Sequence, residues 1–142
     1  MAAEVITLVL KPAIVCGLLL GGYEAITLMK DVQVPQGKFM HALTALTYAL
    51  IAVFASFNVE YVLSVIPFLK TIPFLSNPMV FRIAIGAITA IKVHAVSRAT
   101  KSSMGLSGLS ETWFHTFFIG ILVGAAPYVW AILMPALPVF LK

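Results

Sequence analysis

Four apolar stretches, at about residues 5–29, 39–57, 79–97 and 111–134, take up most of the chain and are joined by polar or proline-containing connections. Each approaches the roughly 20 residues that a helix needs to cross a hydrocarbon core. In lipid, every backbone amide and carbonyl of a spanning segment must be satisfied within the protein, which favours the helix. The expected fold is an all-α integral membrane protein with a single transmembrane domain over residues 1–142. Its expected architecture is an antiparallel four-helix bundle with a proline-rich interfacial segment between the second and third helices. Composition points the same way. The chain is 61% hydrophobic and 10% charged, whereas soluble domains are roughly 45–50% apolar and about 25% charged.

The formal charge of +4 is spread over loops and helix ends with no run of like charges, so nucleic acid is not an expected partner. The expected partners are the lipid bilayer and either other membrane subunits or further copies of the chain. A single cysteine, Cys16, cannot form an internal disulfide and reads as a small packing residue. The N-terminus lacks the basic region of a signal peptide, so the first stretch is expected to be retained as a span.

Lys11-Pro12 interrupts the first stretch early. The preferred reading is one tilted helix from about residue 5 with Lys11 snorkelling to the interface; the alternative starts the helix at Pro12. In the second stretch Ala42, Ala45, Ala49, Ala52 and Ser56 form a small-residue ridge at spacings of three and four. Between residues 58 and 77, Ile-Pro-Phe-Leu occurs twice, at 66–69 and 72–75, and prolines so close together do not suit a continuous helix. This segment is expected at the interface, with Val59 to Val65 either extending the second helix or forming a separate turn. Asn77-Pro78 is a helix start signal for the third span. The glycine- and serine-rich loop from Lys101 to Ser110 leads to the fourth, with Ser110 as its cap. Pro127 predicts a kink there. Glycine pairs at spacing four, Gly17 with Gly21 and Gly120 with Gly124, are expected to serve close helix packing, as is Gly86 with Ala90.

Glu24 puts a carboxylate inside an apolar helix, where it needs a partner. Antiparallel spans bring Glu24, His41, Lys92, His94, Arg98, Glu111 and His115 to one side of the membrane. Glu24 precedes Lys30 by six residues and Lys92 precedes Arg98 by six, which puts both about 9 Å below the flanking charge on their own helices. A Glu24–Lys92 ion pair joining the first and third helices, with Arg98 in the same polar layer, is the expectation from depth. The sharper alternative makes Glu24 a proton or cation relay. A metal or haem site on His41, His94 and His115 with Glu24 or Glu111 is a further alternative, because imidazole is a common metal ligand. No two histidines share a helix at ligand spacing, and Glu111 with His115 also reads as an ordinary pair at spacing four.

No nucleophile next to a base, paired catalytic carboxylates or nucleotide-binding loop occurs in the sequence, so catalysis by this chain alone is not expected. The leading functional expectation is a non-catalytic helical subunit of a larger membrane complex, an oxidoreductase or translocation assembly. The alternative is an oligomeric proton- or cation-coupled transporter or channel working through Glu24. In plan, with four helices and a glutamate in the first, the chain is similar to the small multidrug resistance transporters. It departs from them in its length, its proline-rich linker and its basic third-helix end. The distribution of Lys and Arg tilts the orientation towards both termini outside.

Overall fold

The computed structural model describes residues 6–31, 35–103 and 113–141, and these are all-helical apart from turns and short extended pieces. Helix α1 spans Leu10–Asp31 and α2 spans Pro35–Phe57, and together they form an extensively packed antiparallel hairpin. A short α3, Val59–Val65, leads through a 3-10 segment at Pro67–Thr71 to α4, Pro78–Ser103. Helix α5, Trp113–Gly124, packs against α4 as the second hairpin; α6, Ala126–Leu133, continues from it, and 3-10 turns follow at Met134–Ala136 and Val139–Leu141. The hairpins meet chiefly through α2 against α4 and α5, with α6 reaching back to α1 and α2.

Two helices are long and apolar enough to cross a membrane, over Leu10–Thr27 and Pro78–Ala95. Two further candidates are bent pairs, α2 with α3 and α5 with α6, so length and composition support two to four crossings among the described residues.

The boundaries differ from the sequence expectation in informative ways. Helix α1 begins at Leu10, not near residue 5, with Lys11 and Pro12 in its first turn. Residues 6–9 are non-helical, and Val9 is held by Asn58: the Val9 amide donates to Asn58 Oδ1 at 2.7 Å, and Asn58 Nδ2 donates to the Val9 carbonyl at 3.3 Å. Helix α2 starts four residues early, at Pro35, which suits proline at a first helical position. Helix α4 begins as the Asn77-Pro78 signal implies, with the Met79 amide donating to Asn77 Oδ1 at 2.9 Å. It then runs through Lys101 to Ser103, into what the sequence suggested was loop. Ser110 and Glu111 lie outside the described residues.

Each bent pair has a local cause. Pro127 has no amide hydrogen and its ring clashes with the carbonyl four residues back, so α5 stops at Gly124 and α6 leaves at 73°. At the other break, α2 turns through 99° into α3. There Asn58 Nδ2 also donates to the Phe54 carbonyl, at 3.0 Å. The carbonyls orphaned at helix ends find donors across the bundle. Arg82 Nε donates to the Ser56 carbonyl at 3.0 Å, and Ser56 Oγ donates to the Gly124 carbonyl at 3.2 Å. Arg82 therefore sets a cation beside the C-terminal ends of both α2 and α5, where the helix dipoles favour it. Its Nη1 also donates to Tyr128 Oη at 3.3 Å.

The core between the hairpins contains Cys16, Val53, Ile119, Val123, Ala126 and Trp130. Between residues 66 and 75 the chain forms an exposed apolar platform with Phe68 and Phe74 facing outward. Phe74 has a φ of 71°, an uncommon backbone region for a bulky residue.

Glycines set the separation of paired helices. A Cβ on Gly21 would fall 2.9 Å from Leu46 Cα, and one on Gly17 would fall 2.8 Å from Leu50 Cδ2. In the second hairpin, a Cβ on Gly86 would fall 2.5 Å from the Gly120 carbonyl oxygen, and one on Gly124 would fall 2.9 Å from the Arg82 carbonyl oxygen. A Cβ on Gly120 would meet the Gly86 carbonyl oxygen in turn. Gly22, by contrast, has nothing within 4 Å of the corresponding position. Gly86→Leu is predicted to destabilise the protein by about 1–3 kcal/mol through overpacking. Gly22→Ala is predicted to be neutral or to stabilise by up to about 1 kcal/mol, because alanine is the better helix former. Unfolding curves in mild detergent test this; equal effects at the two positions would contradict the packing assignment.

Candidate functional site

Glu24 lies two turns from the end of α1 and is 3% exposed, although neighbouring Tyr23 and Ile26 face outward. A carboxylate buried to this degree is costly unless balanced. Its partner comes from the other hairpin: His115 Nε2, in the first turn of α5, lies 3.0 Å from Glu24 Oε2. That is hydrogen-bond distance. The second carboxylate oxygen, Oε1, is buried and has no hydrogen-bond partner among the described residues.

Lys92, the partner expected from depth, does not make the close contact. Its Nζ sits 4.5 Å from the ring centroid of Tyr48 on α2, a cation–π arrangement at an exposed position. The depth argument fixed height along the helix axes and not direction around them. Lys92 and Glu24 nevertheless line the same cavity.

His94 is held differently. Its ring stacks on Trp113 at the start of α5, with centroids 3.8 Å apart and planes 15° from parallel, and its Nδ1 is buried without a hydrogen-bond partner among the described residues. Trp113 continues the aromatic row to Phe117, and Tyr23 lies beside His115 with ring centroids 5.9 Å apart. His41 and Arg98 lie in α2 and α4, with side chains outside the described set, and Glu111 lies outside the described residues altogether. No three His, Cys, Asp or Glu side chains come together as a metal-ligand set among the described residues.

A cavity of about 320 Å³ extends from the Glu24 layer between the hairpins. Its walls come from α1, α2, α4 and α5 and are almost wholly apolar apart from Glu24, Lys92, Tyr48 and the threonines Thr44 and Thr89. Tyr48, Ile51 and Ile88 line it and are also exposed, so the cavity opens sideways between α2 and α4. Sequence reading missed Tyr48 and Thr44. Their spacing of four puts them on one face of α2, but nothing in the sequence says that this face meets Glu24 and Lys92.

The arrangement can hold a proton between two groups inside an apolar wall. One proton on the Glu24–His115 pair makes it neutral overall, whether it is written as acid and imidazole or as carboxylate and imidazolium. In a low-dielectric setting the neutral pair is the cheapest state to bury.

No known protein family, characterised protein or solved structure matches the chain.

His115→Leu, which strands Glu24, is predicted to cost about 3 kcal/mol, as expected for breaking a buried pair by removing one partner. The double variant Glu24→Leu with His115→Leu should recover most of that loss. Lys92→Met should cost less than about 1 kcal/mol, as befits an exposed cation–π contact, and should be additive with Glu24→Gln. Double-mutant cycles on detergent-solubilised protein read these values. A strong Glu24–Lys92 coupling with none to His115 would contradict the pairing.

Proposed function

We propose that the chain is a four-span membrane protein, each bent pair counting as one crossing, and that it works as an oligomeric proton- or cation-coupled transporter or channel at Glu24. The observation that carries this reading is the state of the carboxylate. One of its oxygens is held by a histidine of the opposite hairpin, and the other is buried without a hydrogen-bond partner among the described residues, beside an apolar cleft that Glu24 lines. A carboxylate used only to tie helices together would be expected to spend both oxygens. One that exchanges a proton or cation keeps one available.

The working unit combines three parts. His115 takes up or returns the proton as Glu24 changes partners, because an imidazole can hold the proton while the carboxylate is ionised. Among the described residues, Lys92, Tyr48 and Tyr23 are the other titratable side chains near this layer, with His94 on the same helix as Lys92. The ends of α2 and α5, joined through Ser56 and held on the α2 side by Arg82, lie beyond the apolar end of the cleft. Four helices surround no wide channel, so passage across the whole membrane requires further copies of the chain.

A non-catalytic subunit of a larger membrane complex draws support from the apolar outer faces of the helices, which another subunit would cover. A bilayer covers such faces equally well, and that reading leaves the free oxygen of Glu24 without a role.

In proteoliposomes with an imposed potassium diffusion potential, proton entry followed by an internal pH dye is predicted to exceed that of Glu24→Gln by about a hundred-fold or more, the lower end of what a positioned acid–base group contributes. Lys70→Gln, on the exposed platform, should behave as wild type. Equal flux in the wild type and Glu24→Gln would contradict the proposal.

A further inference from the structure

We infer that the cleft between α2 and α4 is a binding site for a single-chain amphiphile with a neutral hydroxyl head, entering sideways from the bilayer and ending at Glu24. This rests on reading the Glu24 layer as the working site of a membrane protein, and it adds the class of ligand.

Three observations define the occupant. The first is shape. Along α2 the wall runs from Thr44 to Ala55, which at about 1.5 Å per residue is about 16 Å. That is close to half of a hydrocarbon core of about 30 Å, so the cleft has the depth of one leaflet and suits a single extended chain. The second is the gradient of polarity. Ala55, Ile85 and Val123 line one end, while Glu24, Tyr48 and Lys92 line the other. An occupant with an apolar tail and a polar head is thereby oriented in one direction only.

The third observation is the charge balance at the polar end. Glu24 Oε1 is a buried acceptor with no donor among the described residues, and it comes within reach of a head in the cleft only as the Glu24 side chain turns towards it, so the head must donate a hydrogen bond. An ammonium head would donate, but it would add a second cation to a cavity that Lys92 already lines. A carboxylate or phosphate head would meet Lys92 at the cost of a second anion beside Glu24. A hydroxyl is one donor with two acceptor sites, so it can give to Glu24 and receive from Lys92 without changing the net charge of the layer. Alcohols, phenols and acylglycerols with one apolar chain share this chemistry.

The mouth explains access. Tyr48 and Ile51 on α2 and Ile88 on α4 are exposed as well as cavity-lining, so a ligand already dissolved in the bilayer reaches the site without crossing water.

The test uses the full chain in lipid nanodiscs with a dodecanol carrying a photoreactive diazirine in its tail, and adducts mapped by peptide mass spectrometry. Adducts should concentrate on the cleft side of α2 and α4 over the outward face of α1 at Leu18 and Leu19 by about five-fold or more, the ratio that one net hydrogen bond supplies. Unlabelled dodecanol should displace the probe about five-fold better than dodecylamine or dodecanoate, on the same basis. Glu24→Gln should lower cleft labelling. So should Ile88→Trp, which fills the mouth from an outward-facing position and leaves the melting curve unchanged. Uniform labelling, or competition by the amine or the acid equal to that of the alcohol, would overturn the inference. If labelling is uniform while proton flux still depends on Glu24, the ligand assignment falls and the transport reading stands. If labelling is selective without such flux, the ligand assignment stands and transport falls.

Discussion

A carboxylate almost sealed from its surroundings has to be balanced by whatever packs against it, and Glu24 is balanced from across the bundle. Helices α1 and α2 pack through Gly17 and Gly21, and α4 and α5 through Gly86, Gly120 and Gly124, so close approach at glycine sets the separation within each hairpin. What relates one hairpin to the other is more specific. At one end it is the Glu24–His115 contact, and at the other it is the Arg82, Ser56 and Gly124 chain of hydrogen bonds. Between them lies the apolar core around Val53 and Val123 and, beside it, the cleft. Polar contacts at both ends and an apolar middle fix the register of the hairpins where apolar packing by itself would permit sliding.

The two ends are built on different physics. At the Arg82 end the polar groups are mostly backbone carbonyls released by broken helices, answered by the Arg82 guanidinium at Ser56 and by the Ser56 hydroxyl at Gly124. Such an arrangement is static. At the Glu24 end the partners are a carboxylate and an imidazole, both able to change protonation, and one oxygen is left over. That asymmetry is why the Glu24 layer, and not the equally polar Arg82 layer, is the candidate for function.

Much of this was legible in the sequence, and the residues show why the rest was not. Apolar stretches, the Asn77-Pro78 cap and the Pro127 bend are local, and local chemistry predicts them. The break at Asn58 has no proline or glycine to announce it, because it depends on a side chain that bonds Val9 from a distant part of the chain. The same contact explains why the first helix starts at Leu10. The layer containing Glu24, Lys92 and His115 followed from connectivity and rise per residue. The choice of His115 over Lys92 did not, since it depends on the rotation of α4 and α5 about their axes, which spacing along one helix cannot give. Tyr48 escaped notice because an aromatic in an apolar helix carries no mark of the cation that will sit on it.

The most direct test of the account is the proximity of His115 to Glu24 in a bilayer. With imidazole nitrogens labelled with ¹⁵N and glutamate side-chain carboxyl carbons with ¹³C, solid-state NMR dipolar recoupling in lipid reads that contact alone once the corresponding His115→Phe spectrum is subtracted. The account predicts a carboxyl signal dephased by nitrogen in the native protein and absent from both His115→Phe and Glu24→Gln. An unchanged signal in His115→Phe, or none in the native protein, would contradict it.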